Sequence, residues 1–153
     1  MKRPFISLLI PLAFLASCEF EQASHGSLYG YWHLIAVDTI ALDTATQSAS
    51  TISSTDLRQQ RLFWAMEGHL VEMNDRDQQH STLVGRFVRE GDSLFVEQLY
   101  FSNRYSGDPE VTELPDLLPF GIDTVKPRLL IERLSSGDLA LRSKNRRLKF
   151  KKM

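Results

Sequence analysis

The sequence predicts an all-β protein, an eight-stranded antiparallel up-and-down barrel. Three observations carry that expectation. From Arg61 onward, short runs rich in aromatic and branched residues alternate with clusters of turn residues. Nearly all of these runs are joined by short turns, so consecutive strands form a meander. Eight antiparallel strands can close on themselves, which removes the edges and leaves an interior for side chains or one small ligand. An open sandwich usually needs longer crossing connections, and only two connections here are long.

The chain starts with a different kind of signal. Lys2 and Arg3 give a positive start, and Phe5 to Leu15 form a short uncharged apolar run. That run is too short for a membrane span, which needs about 20 residues, and reads as a secretory signal. It ends in Leu15-Ala16-Ser17-Cys18, and Cys18 is the single cysteine of the chain. These four residues resemble the lipobox of bacterial lipoproteins. The resemblance implies cleavage before Cys18 and three acyl chains on that residue, which would hold it to a membrane permanently. The other reading is an ordinary secretory signal followed by a chance cysteine.

Residues 1–17 are therefore expected to be a signal peptide, 18–27 a lipidated tether and 28–153 one barrel domain. The whole chain has 18 Lys and Arg against 19 Asp and Glu; losing Lys2 and Arg3 with the signal leaves a net charge of −3. That mild charge does not suggest a nucleic-acid partner. With Cys18 lipidated no disulfide can form, so the core must hold the domain, and a chain of this length can bury enough surface to do so.

Within the body, residues 28–37 read as the first strand. Alternation places Trp32, Leu34 and Ala36 on one face, with Tyr31, His33, Ile35 and Val37 on the other. Asp38 to Gln60 is rich in Ser and Thr with little apolar periodicity. It reads as a long loop with a helical turn near residues 56–60, either a lid over one mouth or an insertion. Arg61–Glu67, His69–Met73, Thr82–Arg89 and Ser93–Phe101 read as strands. Gly68 marks a tight turn or bulge, and Gly91 supplies a hairpin turn. Residues 102–124 hold three prolines and five acids, with one helical turn expected at 114–118 and Pro115 at its start. Arg128–Leu134, Leu139–Arg142 and Arg147–Lys151 complete the set. Seven bases and no acid follow Asp138. They read either as a patch for phosphate-bearing groups or as charge guarding a terminal strand from pairing.

Gly30-Tyr31-Trp32 resembles the Gly-X-Trp motif that opens the first strand of lipocalins. The resemblance implies that Trp32 plugs the closed end of a lipocalin-like, calycin-type barrel beneath a cation from the last strand; Arg142, Arg146 or Arg147 could supply it. The whole body also resembles the lipocalin-like domains of Bacteroidetes-type lipoproteins, through Gly91-Asp92-Ser93-Leu94, Phe120-Gly121-Ile122 and Leu141 to Lys151 as well. That family is largely uncharacterised, so the resemblance implies a fold and an address. The address is the cell envelope, with a lipid anchor in the outer membrane. Glu19 and Glu21 behind the lipid then read either as a surface-export signal or as a solvated linker.

The residues offer little recognisable chemistry. No nucleophile elbow or glycine-rich phosphate loop occurs. His25, His33, His69 and His80 are scattered, with no pair at metal-ligand spacing. Asp75-Arg76-Asp77 begins like a calcium loop, but His80 and Arg86 stand where the loop needs glycine and an acid. Glu132 could face inward with a raised pKa, or pair with a base such as Arg133. No metal, cofactor or enzymatic activity is expected. Two functions remain. One is binding of a small apolar ligand, with Trp64, Met66, Phe87 and Phe95 lining the barrel. The other is an interaction module with a solid interior that packs against another envelope protein. A cavity wide enough for a fatty-acid-sized probe favours the first, and a filled barrel with an exposed apolar patch favours the second.

Overall fold

The computed structural model describes residues 28–153. The segments expected to be a signal peptide and a lipidated tether, with Cys18, lie outside the described residues. Nine strands follow in order: β1 (Gly30–Leu42), β2 (Ala49–Asp56), β3 (Leu62–Glu67), β4 (Leu70–Asp75), β5 (Leu83–Glu90), β6 (Ser93–Phe101), β7 (Arg128–Leu134), β8 (Asp138–Arg142) and β9 (Arg146–Lys152). A single helical turn, α1 (Leu114–Leu117), and a 3-10 turn (Leu118–Phe120) stand between β6 and β7. Every paired neighbour is antiparallel, and β9 returns to pair with β1. The eight strands β1 and β3–β9 thus close the expected up-and-down barrel.

The ninth strand overturns one expectation. Residues 38–60 are not a loop. β1 runs on to Leu42, and β2 pairs back along it from Ala36↔Asp56 to Leu42↔Ala49. The Ser and Thr residues of β2 show no apolar alternation because both of its faces are wet, with seven of its eight residues exposed. Pairing to β1 alone carries the strand. The expected helical turn at 56–60 is a tight turn closed by Gln60 N–H to Leu57 C=O at 2.9 Å. β2 and β3 lie end to end along β1, since β3 pairs with β1 only at Gly30–His33.

A bulge in β1 corrects a second expectation. The β1–β9 register slips between Leu34 and Ala36. Trp32 and Leu34 face the interior before the slip, and Val37 packs on the core after it. Ala36 and Asp38 consequently turn to the outer wall. Alternation fails here because a bulge inserts one residue and reverses the parity of all that follow.

The two ends of the barrel differ. At the closed end β1 begins, β9 ends, and short turns at Gly68, Gly91 and Gly137 join the strands. At the mouth the β1–β2 hairpin, the β4–β5 turn and the long 102–127 connection gather. One apolar cluster fills the space between, from Leu28 and Trp32 at the closed end to Leu117, Phe120 and Ile122 under the mouth. Pro115 sits in the first turn of α1, as expected, where its missing N–H removes no bond.

Candidate functional site

The closed end is built around Trp32. Its indole N–H donates to the Leu28 carbonyl at 2.8 Å, and its ring is fully buried. The β1–β9 register sets Trp32 opposite Lys152, whose Nζ lies 5.0 Å from the ring centroid. The cation is therefore Lys152, and not Arg142, Arg146 or Arg147. Those three belong to the other end of β8 and β9 or to the outer wall, where they meet Glu132 and Asp123. Gly30, at φ 132°, leaves room for this lysine: a Cβ there would lie 2.5 Å from Lys152 Cε.

The mouth is covered by the 114–122 segment. Leu117, Phe120 and Ile122 descend into the core as a stopper. Gly121 ends the 3-10 turn at φ 86°, and a Cβ on it would lie 2.8 Å from Leu148 Cδ2, so the segment seats closely on β9 only with glycine there. A cleft of about 260 Å³ opens between this cap and the β1–β2 hairpin. Its walls are Val37, Leu57, Leu118 and Pro119, and its polar rim includes Gln60, His80 and Arg146. A smaller cleft of about 140 Å³ lies beyond His80, against Pro115 and Asp116.

The β4–β5 turn places His80 between the two clefts. The buried Asp75 carboxylate accepts the backbone N–H groups of Asp77, Gln79 and His80 at 2.8, 2.9 and 3.1 Å. Asp77 is paired with Arg61. The Asp75-Arg76-Asp77 sequence thus serves to tie a turn. Among the described residues, no group of three His, Cys, Asp or Glu could hold a metal ion.

The residues expected to line a ligand cavity divide. Trp64, Met66 and Phe87 are buried in the packed interior. The Trp64 ring stands edge-on to Phe150 with centroids 5.3 Å apart, and its indole N–H has no acceptor. Phe95 does not line the interior. Leu94 and Val96 take the inward positions, so Phe95 faces out and lies under the Arg128 guanidinium at 4.8 Å. Four consecutive apolar or small residues hide the parity of that strand in the sequence, and the cation–π contact lets an aromatic ring sit outside. The mouth cleft was not foreseen, because its lining comes from five separate segments with no shared motif.

The basic C-terminal stretch is neither a free patch nor a guarded edge. β9 is paired on both sides. Arg142, Arg146, Arg147, Lys149 and Lys151 each lie within 4.0 Å of a carboxylate oxygen. Glu132, at a bulge in β7, binds Arg142 and Arg147 and does not pair with Arg133. Asp38 is buried on the outer wall, 2.7 Å from Ser54 Oγ and 2.8 Å from Lys149 Nζ. Burial alone raises its pKa. The hydrogen bonds from Lys149 and Ser54, with the charges of Lys149 and Arg147, outweigh that and hold the carboxyl below its usual range.

A closed antiparallel barrel with a Gly-X-Trp strand at its closed end now stands beside a match to the lipocalin-like domain over residues 13–153. The chain belongs to that lipocalin-like family. Its barrel is similar to a crystal structure of a lipocalin-like protein from Bacteroides uniformis, at 19% identity and TM-score 0.55, over 84% of this chain and 100% of that one. It is also similar to an uncharacterised protein from Bacteroides eggerthii, at 14% identity and TM-score 0.50, over 82% and 98%. At these identities the likeness concerns the fold alone. No curated protein matches this lipocalin-like chain.

Proposed function

We propose that this lipocalin-like protein is a lipid-anchored envelope lipoprotein of the outer membrane, and that its barrel is an interaction module. The filled interior carries the reading. One apolar cluster occupies the barrel from Trp32 to Phe120, so binding falls to the outer surface and the mouth. The anchor reading rests on Leu15-Ala16-Ser17-Cys18. Leu28 belongs to the closed end, and the tether precedes it directly in the sequence. The closed end then faces the membrane, and the mouth is offered to another envelope protein.

The test uses living cells and a photo-crosslinking residue at Leu118, on the mouth, or at Glu90, on the closed end. Wild-type protein takes up labelled palmitate and cross-links from Leu118 to a discrete protein; Cys18→Ser does neither. Equal palmitate labelling of both would remove the anchor. Cross-links to protein from Glu90 alone would remove the orientation.

A second reading, a small apolar ligand, is favoured by the mouth cleft. Four apolar walls beside a polar rim of Gln60, His80 and Arg146 suit an amphiphile. At about 260 Å³ the space falls just under the range of roughly 300–1,000 Å³ common to ligand sites.

A further inference from the structure

The sheet has an open edge beside this cleft. β2 pairs with β1 and with no other strand among the described residues. β4 pairs with β3 and stops at Leu62↔Asp75, so no described strand lies beside β2 in line with β4. Open edges are usually guarded by charge, proline or a bulge, because their free N–H and C=O groups invite another strand. From Ala49 to Thr55 this edge carries no charge and no proline, and the carboxylate of Asp56 at its end is taken up by Arg58, 2.8 Å away. Its guard is a bulge at Ile52, which has no partner on β1 and is 67% exposed. The bulge leaves Ser53–Asp56 regular, and that is the part next to the cleft.

The register says which backbone groups are offered. Leu57 N–H bonds the Ile35 carbonyl at 2.9 Å. Antiparallel ladders alternate between bonded and non-bonded pairs. Ile35 and Leu57 are a bonded pair, so Ala36↔Asp56 and Asp38↔Ser54 are non-bonded pairs. Ser54 and Asp56 therefore direct their N–H and C=O groups away from β1. Thr55 lines the cleft, so a strand added at this edge would send alternate side chains into it.

We propose that this edge takes an extended segment of the envelope partner as an added strand, with one large apolar side chain of that segment seated between Leu57, Leu118 and Pro119. Backbone bonds at Ser54 and Asp56 would give affinity, and the cleft would select the side chain. The inference rests on the interaction-module reading and names the chemistry of the partner. A second copy of this chain fits less well. Paired edge to edge, the regular part of β2 would offer the cleft only Ser53 and Thr55, which are too small to fill it, and Ile52 sits at the bulge, where the ladder is broken.

The test selects random peptides from a display library against the full chain in detergent micelles, then measures amide exchange by NMR. The selected peptides share a large apolar residue, and adding them slows exchange at the Ser54 and Asp56 amides about tenfold or more. Asp56→Pro, which removes an outward N–H, and Leu118→Asp, which charges the cleft, each weaken binding about tenfold or more. In vitro, any of three results overturns the inference: no peptide is selected; peptides bind without protecting those two amides; or the amides become protected with protein concentration alone, which makes a second copy the occupant. The exchange readout uses wild-type protein and does not depend on how the variants fold. Cross-linking from Leu118 that persists in Asp56→Pro cells would sink this inference and leave the interaction-module reading standing.

Discussion

Lys152 Nζ stands 5.0 Å from the centre of the Trp32 ring, and the two residues are direct partners in the β1–β9 register. The contact joins the first strand to the last at the point where the barrel closes. Cation–π contacts contribute about 0.5–2 kcal/mol, while removing a buried tryptophan ring costs about 3–5 kcal/mol. Trp32→Ala is expected to lose the larger amount and Lys152→Ala the smaller, measured by urea unfolding. Equal losses would mean that the lysine holds the closure by more than its contact with the ring.

Asp38 should make stability depend on acid. Its folded pKa is depressed, so its contribution is complete above the ordinary carboxylate range and is lost as pH falls through the lower folded value. Stability of wild-type protein therefore drops below about pH 4 partly through this group. Asp38→Asn should be less stable at pH 7 by about 1–3 kcal/mol, with a shallower decline on acidification. A variant whose acid limb matches the wild type would show that other carboxylates set it.

Trp64→Phe tests the unpaired indole. A buried donor without an acceptor costs about 1–3 kcal/mol. Removing it offsets the loss of ring volume, so this variant should stay within about 1 kcal/mol of wild type. Trp32→Phe, which breaks a hydrogen bond to Leu28, should cost more. The comparison is read from paired denaturant curves, and the reverse order would contradict it.

For the second functional reading, a fluorescent fatty-acid analogue should bind at the mouth. Leu118→Asp, partly exposed there, should weaken binding about tenfold with the fold intact. Phe87→Asp should unfold the domain, since it buries a lone carboxylate in a filled interior. Binding that survives Leu118→Asp would move the site elsewhere.

Much of the barrel was legible because its hairpins obey two local rules: period-two burial and glycine-bearing turns. Gly91, Pro115 and Trp32 each took the place their chemistry implied. The failures share a different cause. β2 carries Ser and Thr on two wet faces, so the period that reveals a strand is absent. Ala36, Val37 and Phe95 changed sides through a bulge in β1 or a hidden parity in β6, and neither shows in composition. The cation on Trp32 depends on register across a distance of 120 positions between Trp32 and Lys152, which short patterns do not record. The mouth cleft combines parts of β1, the end of β2 and the turn after it, the β4–β5 turn, the cap and β9, so it exists only once the sheet has closed.

β1 spans 13 residues, from the closed end to the hairpin above the mouth, and is flanked from Trp32 to Thr39 by β9 on one side and by β3 and β2 in turn on the other. If the membrane holds one end and a partner holds the other, any pull between them runs along this strand. Load is then applied in shear, and the hydrogen bonds on both flanks must give way together. A pull across the sheet would instead open them one at a time. Under the proposed attachments, the longest strand of the barrel is then also its mechanical spine.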